Sequence, residues 1–346
     1  MPVDEDPSVT APGRHPAPTL ELVAARAGVS RATVSRVVNG STSVSTPIAE
    51  AVRRAVEELG YVPNRAARSL ASHQSQAIAL VAPEDVTRFF GDLFFADIVA
   101  GIDARLEDSD YVLNLMVANN DPSGKTMRYL GGGAVDGALV VSHHTSDRFL
   151  KRITETLPVV FGGRSAVPGL DAYVVDVDNV TGAETATRHL IERGCRRIAT
   201  IAGPLNMRGS LDRLEGWRRA LDAAGVEAGP VVDGDFTMLG GAAAMREILD
   251  SRHQVDGVFV ASDLMASGAV PVLRDRGIAI PDDVAIVGFD DSAAALATGV
   301  PLTTVRQPMR EMGWQMADML IRLLAGETTV PRELILPTEL VVRASA

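Results

Sequence analysis

Residues 19–40, TLELVAARAGVSRATVSRVVNG, admit few folds. Leu20, Val23 and Ala24 recur at helical spacing, and Thr19 stands where an N-cap belongs. Gly28 ends that helix, because only glycine reaches positive φ cheaply. After Val29, Ser30 caps a second helix whose apolar side is Val34, Val37 and Val38. Between those apolar positions stand Arg31, Ala32, Thr33, Ser35 and Arg36, which therefore point outward. A buried helix, a glycine turn and a second helix with short polar and basic residues outward is helix–turn–helix grammar. Such a face suits a DNA major groove: Arg grips guanine bidentately, and Ser and Thr hydroxyls take phosphates. The spacing alone also fits an ordinary αα-hairpin.

The next stretch favours the DNA-reading alternative. Residues 46–60 predict a third helix, capped by Thr46, with Pro47 at its first position and Gly60 at its end. Ile48, Val52, Val56 and Leu59 form the stripe that completes a three-helix core, with Arg53 and Arg54 outward. Residues 64–72, NRAARSLAS, offer about two helical turns, too few to persist alone in water. The charge is divided accordingly. The whole chain carries −11, yet residues 19–76 hold seven arginines against four glutamates. A basic head on an acidic body fits one end docking on phosphates.

AGVSRATVSRVVNG, followed by STPIAEAVRRAVEELGYVPNRAARSLAS, resembles the headpiece and hinge of the lac repressor family of bacterial transcription regulators. The resemblance implies that Ser30, Thr33, Ser35 and Asn39 hold phosphates while Arg31, Ala32 and Arg36 face the bases. It implies that hinge segments from two protomers enter the minor groove. There Leu70 wedges between base pairs with Ala67 beside it, and Asn64 and Arg65 lie near the backbone. An apolar lever of that kind can unstack a base step at a cost of a few kcal/mol, offset by new contacts.

From Ala77 onward short apolar runs alternate with amphipathic helices, the pattern of parallel sheets covered on both faces. About ten strands over the last 270 residues predict two doubly wound α/β subdomains rather than one sheet. This resembles the periplasmic-binding-protein-like body of the same family, in which the chain crosses between subdomains three times, near Asp178, Arg306 and Pro337. The expected organisation is a disordered tail (1–18), a helix–turn–helix headpiece (19–63), a hinge and linker (64–76) and a body (77–346). Within the body, the N-subdomain takes about 77–177 and 307–336, and the C-subdomain about 178–306 and 337–346.

Ligands of open α/β sheets sit beyond the carboxyl ends of the strands, so the cleft between two such subdomains is the expected pocket. Asp290 follows VAIVGF, Ser262 and Asp263 follow VFVA, Phe236 ends VVDGDF, and Arg213 begins the helix after IAGP. Phe94 and Phe95 follow the first strand, one of them expected in the core. Asp263 reads better as a helix cap than as a ligand contact. By resemblance, the positions of Arg213, Asp290 and Phe236 contact a small-molecule effector, a sugar or sugar-like polyol, although Ser262 stands where many sugar-binding members carry Asn.

The expected protein is therefore an effector-controlled transcription regulator, a homodimer on palindromic double-stranded operator DNA, cytoplasmic, without a cofactor or a metal. A soluble sugar-binding transport protein is the alternative. It fits the body alone, while the basic head and the acidic, Pro-rich N-terminus, which lacks a secretory apolar segment, oppose it. No GxSxG, HExxH or Walker sequence is present, which argues against an enzyme. The adjacent His143 and His144 read as surface or supporting residues, and Gly131–Gly133 as a helix-ending loop. The single cysteine, Cys195, excludes an intramolecular disulfide. No apolar run is long enough for a membrane helix.

Overall fold

The computed structural model describes residues 18–38, 41, 43–62, 74–118, 121, 123–146, 149–165, 169–170 and 172–346. Expectations for Asn39, Asn64, Arg65, Ala67 and Leu70, and for residues 1–17 of the tail, lie outside them. The chain forms two compact units, residues 1–75 and 76–346.

In the first unit, helix α1 (Leu20–Ala27) starts where the Thr19 hydroxyl accepts from the Leu22 amide and ends at Gly28, with φ of 68°. Helix α2 (Arg31–Val38) is capped by Ser30, whose Oγ accepts from the Thr33 amide at 3.1 Å. Helix α3 (Thr46–Leu59) closes at Gly60. Its N-cap is Ser45 rather than Thr46, and Ser45 makes no side-chain cap bond. The core gathers Val23, Ala24, Val34, Val52, Ala55 and Tyr61. Ile48 is exposed instead of buried, because α3 turns Ala49, Val52 and Ala55 inward. The small alanines let α3 sit close on α1, and Arg26 of α1 fastens to Glu58 of α3 at 2.6 Å.

The second unit contains two six-stranded sheets. In the first, β1 (Ala77–Ala82) lies between β2 (Val112–Val117) and β3 (Gly137–Val141). β4 (Val159–Gly162), β5 (Tyr173–Val177) and β11 (Glu333–Leu336) continue outward from β3, all parallel. In the second, β6 (Ile198–Ala202) lies between β7 (Val231–Asp233) and β8 (Gly257–Val260). β9 (Ala285–Asp290) and β10 (Thr303–Arg306) follow, and the edge strand β12 (Glu339–Val341) runs antiparallel to β10. The described residues thus contain twelve strands rather than about ten. The edge strand β11 is short and partly exposed, so its apolar signal is weak. The chain passes between the sheets after β5, after β10 and after β11. The inner strands β1 and β3 are buried throughout, as a sheet covered on both faces requires.

After β1 the chain forms a short helix, α4 (Val86–Gly91), before α5 (Leu93–Leu106). Asp85 caps the first and Asp92 the second. Helix α5 packs on α12 (Met309–Leu324) through facing glycines: a Cβ on Gly101 would collide with the Arg310 carbonyl, and one on Gly313 with the Ile98 carbonyl. In the second sheet, α8 (Asn179–Glu192) and α9 (Arg208–Ala224) cover one face, and α10 (Met238–Asp250) and α11 (Asp263–Asp275) the other. Ser262, not Asp263, caps α11; Asp263 is its fully buried first residue.

Each sheet reverses its strand order beside its first strand, at β1/β3 and at β6/β8. Neighbouring connections there leave in opposite directions and open a crevice at the strand carboxyl ends. The loops after these strands carry the residues described next.

Candidate functional site

The first unit presents α2. Arg31, Ala32 and Arg36 are exposed along it, and Thr33 and Ser35 are partly so. The residues are not equivalent. Arg31 is held by Glu21 of α1 at 3.1 Å, whereas the Arg36 guanidinium has no partner among the described residues. Ser30 and Thr33 are already engaged with each other, their hydroxyls 2.9 Å apart, as part of the helix cap. Arg36 is therefore the α2 arginine whose guanidinium is uncommitted among the described residues, whereas Arg31 has first to leave Glu21 to meet anything else.

The second unit holds a cleft between its two sheets, about 720 Å³ measured out to solvent. One wall carries Arg88, Asp92 and Phe94 from the helical segment after β1, and Ser142, His143 and Arg164 from the loops after β3 and β4. The other carries Asn179, Ser210, Arg213, Phe236, Ser262 and Asp290. Five of the six residues expected at an effector site thus line one cavity: Phe94, Arg213, Phe236, Ser262 and Asp290. Phe95 does not. It is 2 % exposed, packed against Phe89 with ring centroids 4.6 Å apart. Successive residues of a helix differ by about 100° in direction, so only one of the pair can face the cleft.

Arg213 is the centre of the far wall. Its Nε donates to Asn179 Oδ1 at 2.8 Å and its Nη1 to the Ala261 carbonyl, while its guanidinium lies over the Phe289 ring, 3.9 Å from the centroid. Asp290 Oδ1 is 3.7 Å from Nη1 and also accepts from Gln307 Nε2. Burial pushes the Arg213 pKa down and the Asp290 pKa well up, with the mutual attraction opposing both shifts. Asp290 has φ of 124° and Phe236 φ of 58°, left-handed backbone in residues that carry side chains. Such strain concentrates where a side chain has to be aimed. Gly203 leaves the space the Phe236 ring fills, since a Cβ there would strike it.

Links already cross the cleft. Arg164 donates to Asp176 at 3.2 Å and to Asp212 of α9 at 2.7 Å. His144 pairs with Asn206 Oδ1 at 2.9 Å and with Glu84 at 3.1 Å, and the Thr145 amide donates to the Asn206 carbonyl at 3.0 Å. The Arg88 guanidinium lies 5.5 Å from the Phe236 centroid on the opposite wall. Asp176 and Asn179 connect the Arg164 end of the cleft to Arg213 by further hydrogen bonds. The result is a ring of donors and acceptors with an aromatic wall, an environment suited to a small polyhydroxylated molecule. Reasoning from strand ends could have reached His143, Arg164 and Asn179, which follow β3, β4 and β5 just as Asp290 ends β9. Arg88 and Ser210 left no such signal, because both sit on helices.

His143 is 6 % exposed rather than on the surface. Burial, helped by neighbouring His144, pushes its pKa from 6.5 down to about 4. The unfolded chain takes up this proton near 6.5 and the folded chain only near 4. Stability is therefore lost as pH falls across that window, by roughly 3 kcal/mol in all. His143→Phe should remove this loss. In urea titrations the variant should gain on the wild type as pH drops from 7 to 4, and a pH-independent difference would show that the ring titrates normally. Asp263, pushed up to about 7 by burial and by Asp291, acts with the opposite sign. It destabilises above pH 7 and less as pH falls, and it cancels in the difference.

Among the described residues no cluster of three His, Cys, Asp or Glu is arranged to hold a metal, and no helix is long and apolar enough to cross a membrane.

Two family models match the chain: bacterial regulatory proteins, lacI family, over residues 19–64, and the periplasmic binding protein-like domain over residues 187–346. The HTH-type transcriptional regulator CelR of Thermobifida fusca is 47% identical over 96% of this chain and 99% of its own length. A solved CelR–cellobiose complex superposes with TM-score 0.75 at 46% identity, covering 95% of this chain and 100% of that one. The lac repressor dimer bound to operator and the anti-inducer ONPF superposes with TM-score 0.84 at 28% identity, covering 95% and 99%.

Proposed function

The chain belongs to the lacI family of bacterial regulatory proteins, DNA-binding regulators of transcription, and from that premise we propose that cellobiose or a closely similar glucose disaccharide controls its hold on operator DNA. The observation that carries the sugar reading is the cleft itself. Charged and amide side chains from two walls converge with an aromatic ring at the carboxyl ends of both sheets. A ligand that bonds Arg213 and Asp290 on one wall and the Arg88–His143 side on the other binds best when the walls are close. By binding that state it shifts the population toward it.

In this reading the regulator acts as a homodimer on a palindromic site. Two copies of α2 read equivalent half-sites, as isologous pairing requires. Arg36 and Arg31 meet base edges, Ala32 gives clearance or a methyl contact, and Ser30, Thr33 and Ser35 contact phosphates. Asn39, Asn64, Arg65, Ala67 and Leu70, which lie outside the described residues, are proposed to contact the same DNA. A sugar-transport role fits the body alone and leaves the helix–turn–helix unit without a task. No group in the cleft is asked to do chemistry, so we read the protein as a regulator and not an enzyme.

The test is a titration of the full chain on the DNA upstream of its own gene, at two salt concentrations, with and without cellobiose. Tight, sequence-specific binding altered by cellobiose is the expected result. Specific binding unaffected by cellobiose refutes the effector. Binding that added salt erases equally on any sequence refutes the operator reading.

A further inference from the structure

Native proteins rarely bury a polar side-chain atom without a partner, since each instance costs about 1–3 kcal/mol. Among the described residues, Arg88 Nε, both ring nitrogens of His143, His189 Nε2, Ser210 Oγ and Trp217 Nε1 are in that position. Three of these residues, Arg88, His143 and Ser210, line the cleft: the first two on one wall and Ser210 on the other, one helical turn before Arg213. The coincidence locates unspent hydrogen-bonding capacity where a ligand would lie.

His143 is the clearest case. Its ring packs edge-on against Phe161, centroids 5.2 Å apart, in the apolar floor of the cleft. The Arg164 backbone lies close enough to act on the ring, yet neither nitrogen meets a partner at hydrogen-bonding geometry; a phenylalanine would fill that space without burying them, so packing alone does not account for a histidine. The neighbouring polar groups are committed elsewhere. Ser142 donates to Glu84 at 2.6 Å, Arg88 pairs with the same carboxylate at 2.9 Å, and His144 bridges Glu84 to Asn206.

We infer that His143 is a specificity-determining contact of the effector site, its imidazole exchanging hydrogen bonds with a hydroxyl of the bound sugar while Arg88 and Ser210 offer further partners from the two walls. The inference rests on the sugar-effector reading above. A neutral imidazole has one donor and one acceptor nitrogen, which match a hydroxyl that both donates and accepts. Burial keeps the ring in that form at neutral pH. A site whose buried polar groups are satisfied only by the right hydroxyl discriminates strongly against a ligand lacking it.

The experiment is calorimetric titration of cellobiose into the full chain, as wild type, His143→Phe and His143→Asn, with thermal unfolding of each in the absence of sugar. The phenylalanine variant should unfold at the same temperature or higher and bind cellobiose about 10- to 100-fold more weakly. Asparagine, which keeps a donor and an acceptor, should recover part of the loss. Equal affinity in wild type and His143→Phe overturns this inference and leaves the effector reading standing. No binding by the wild type overturns the effector reading, and this inference with it. Should His143→Phe fail to fold, His143→Leu decides the matter by the same comparison.

Discussion

Replacing Arg213 with alanine should eliminate measurable cellobiose binding and destabilise the body by about 3–5 kcal/mol, the usual consequence of removing one partner from a buried ion pair. The side chain is 9 % exposed and serves four neighbours at once: Asn179, the Ala261 carbonyl, the Phe289 ring and Asp290. Its removal leaves the first two acceptors unpaired, opens a cavity beside Phe289 and strips Asp290 of its counter-charge. Asp290 can relieve part of the damage by taking a proton, because burial already holds its pKa well above the ordinary carboxylate range. The destabilisation should therefore be smaller at acid pH and grow as pH rises. Asp290→Asn, which keeps the shape and removes the charge, should lower sugar affinity with a lesser effect on stability. Lysine at 213 should restore little, since a point charge cannot address a carbonyl, an amide and a carboxylate as a planar fork does. Denaturant unfolding and calorimetric titration at pH 5 and 8 check all of this. An Arg213→Ala protein as stable as wild type, or one that retains affinity, would remove Arg213 from the centre of the site.

Arg36→Ala should abolish specific operator binding while leaving the three-helix unit folded. Arg36 is exposed in the last turn of α2, and its guanidinium contributes no bond to the fold among the described residues. A bidentate arginine–guanine contact discriminates by about 1–3 kcal/mol, and a dimer counts it twice, so specific affinity should fall roughly 10²- to 10⁴-fold. The weak binding to unrelated DNA, which rests on phosphate contacts, should keep most of its dependence on salt. Arg31→Ala should cost less, because the wild-type residue has to release Glu21 before it can reach DNA. Operator titrations on matched and scrambled sequences separate the two. If Arg36→Ala lowered affinity equally on every sequence, the residue would be a phosphate contact and not a base reader.

The two units were legible to different degrees. In the first, the elements end where their own caps dictate: Thr19, Gly28, Ser30 and Gly60 each act within a few residues of themselves. That is also why the start of α3 is ambiguous, since Thr46 and Ser45 are equally good candidates and only the surrounding chain chooses Ser45. In the body, the alternation of apolar runs and amphipathic helices announces the parallel sheets. The positions after strands then lead to Arg213, Phe236, Ser262 and Asp290. The short edge strand β11 escaped because a partly exposed four-residue run has no distinctive pattern.

The class of fold, the helix–turn–helix and the strand ends that carry polar residues can be read from the chain alone, because they follow from caps, periodicity and turn chemistry acting over a few neighbouring positions. Packing settles that Phe94 faces the cleft while Phe95 enters the core, that Arg31 is tied to Glu21 while Arg36 has no ion pair among the described residues, and that His143 is buried with neither ring nitrogen at hydrogen-bonding geometry to a described residue. The same holds for Arg164 and Asp212, 48 residues apart, meeting across the cleft at 2.7 Å. Each of these depends on two elements from distant parts of the chain packing at one angle and depth. No local preference encodes that geometry; it emerges only when both sheets and their covering helices are in place.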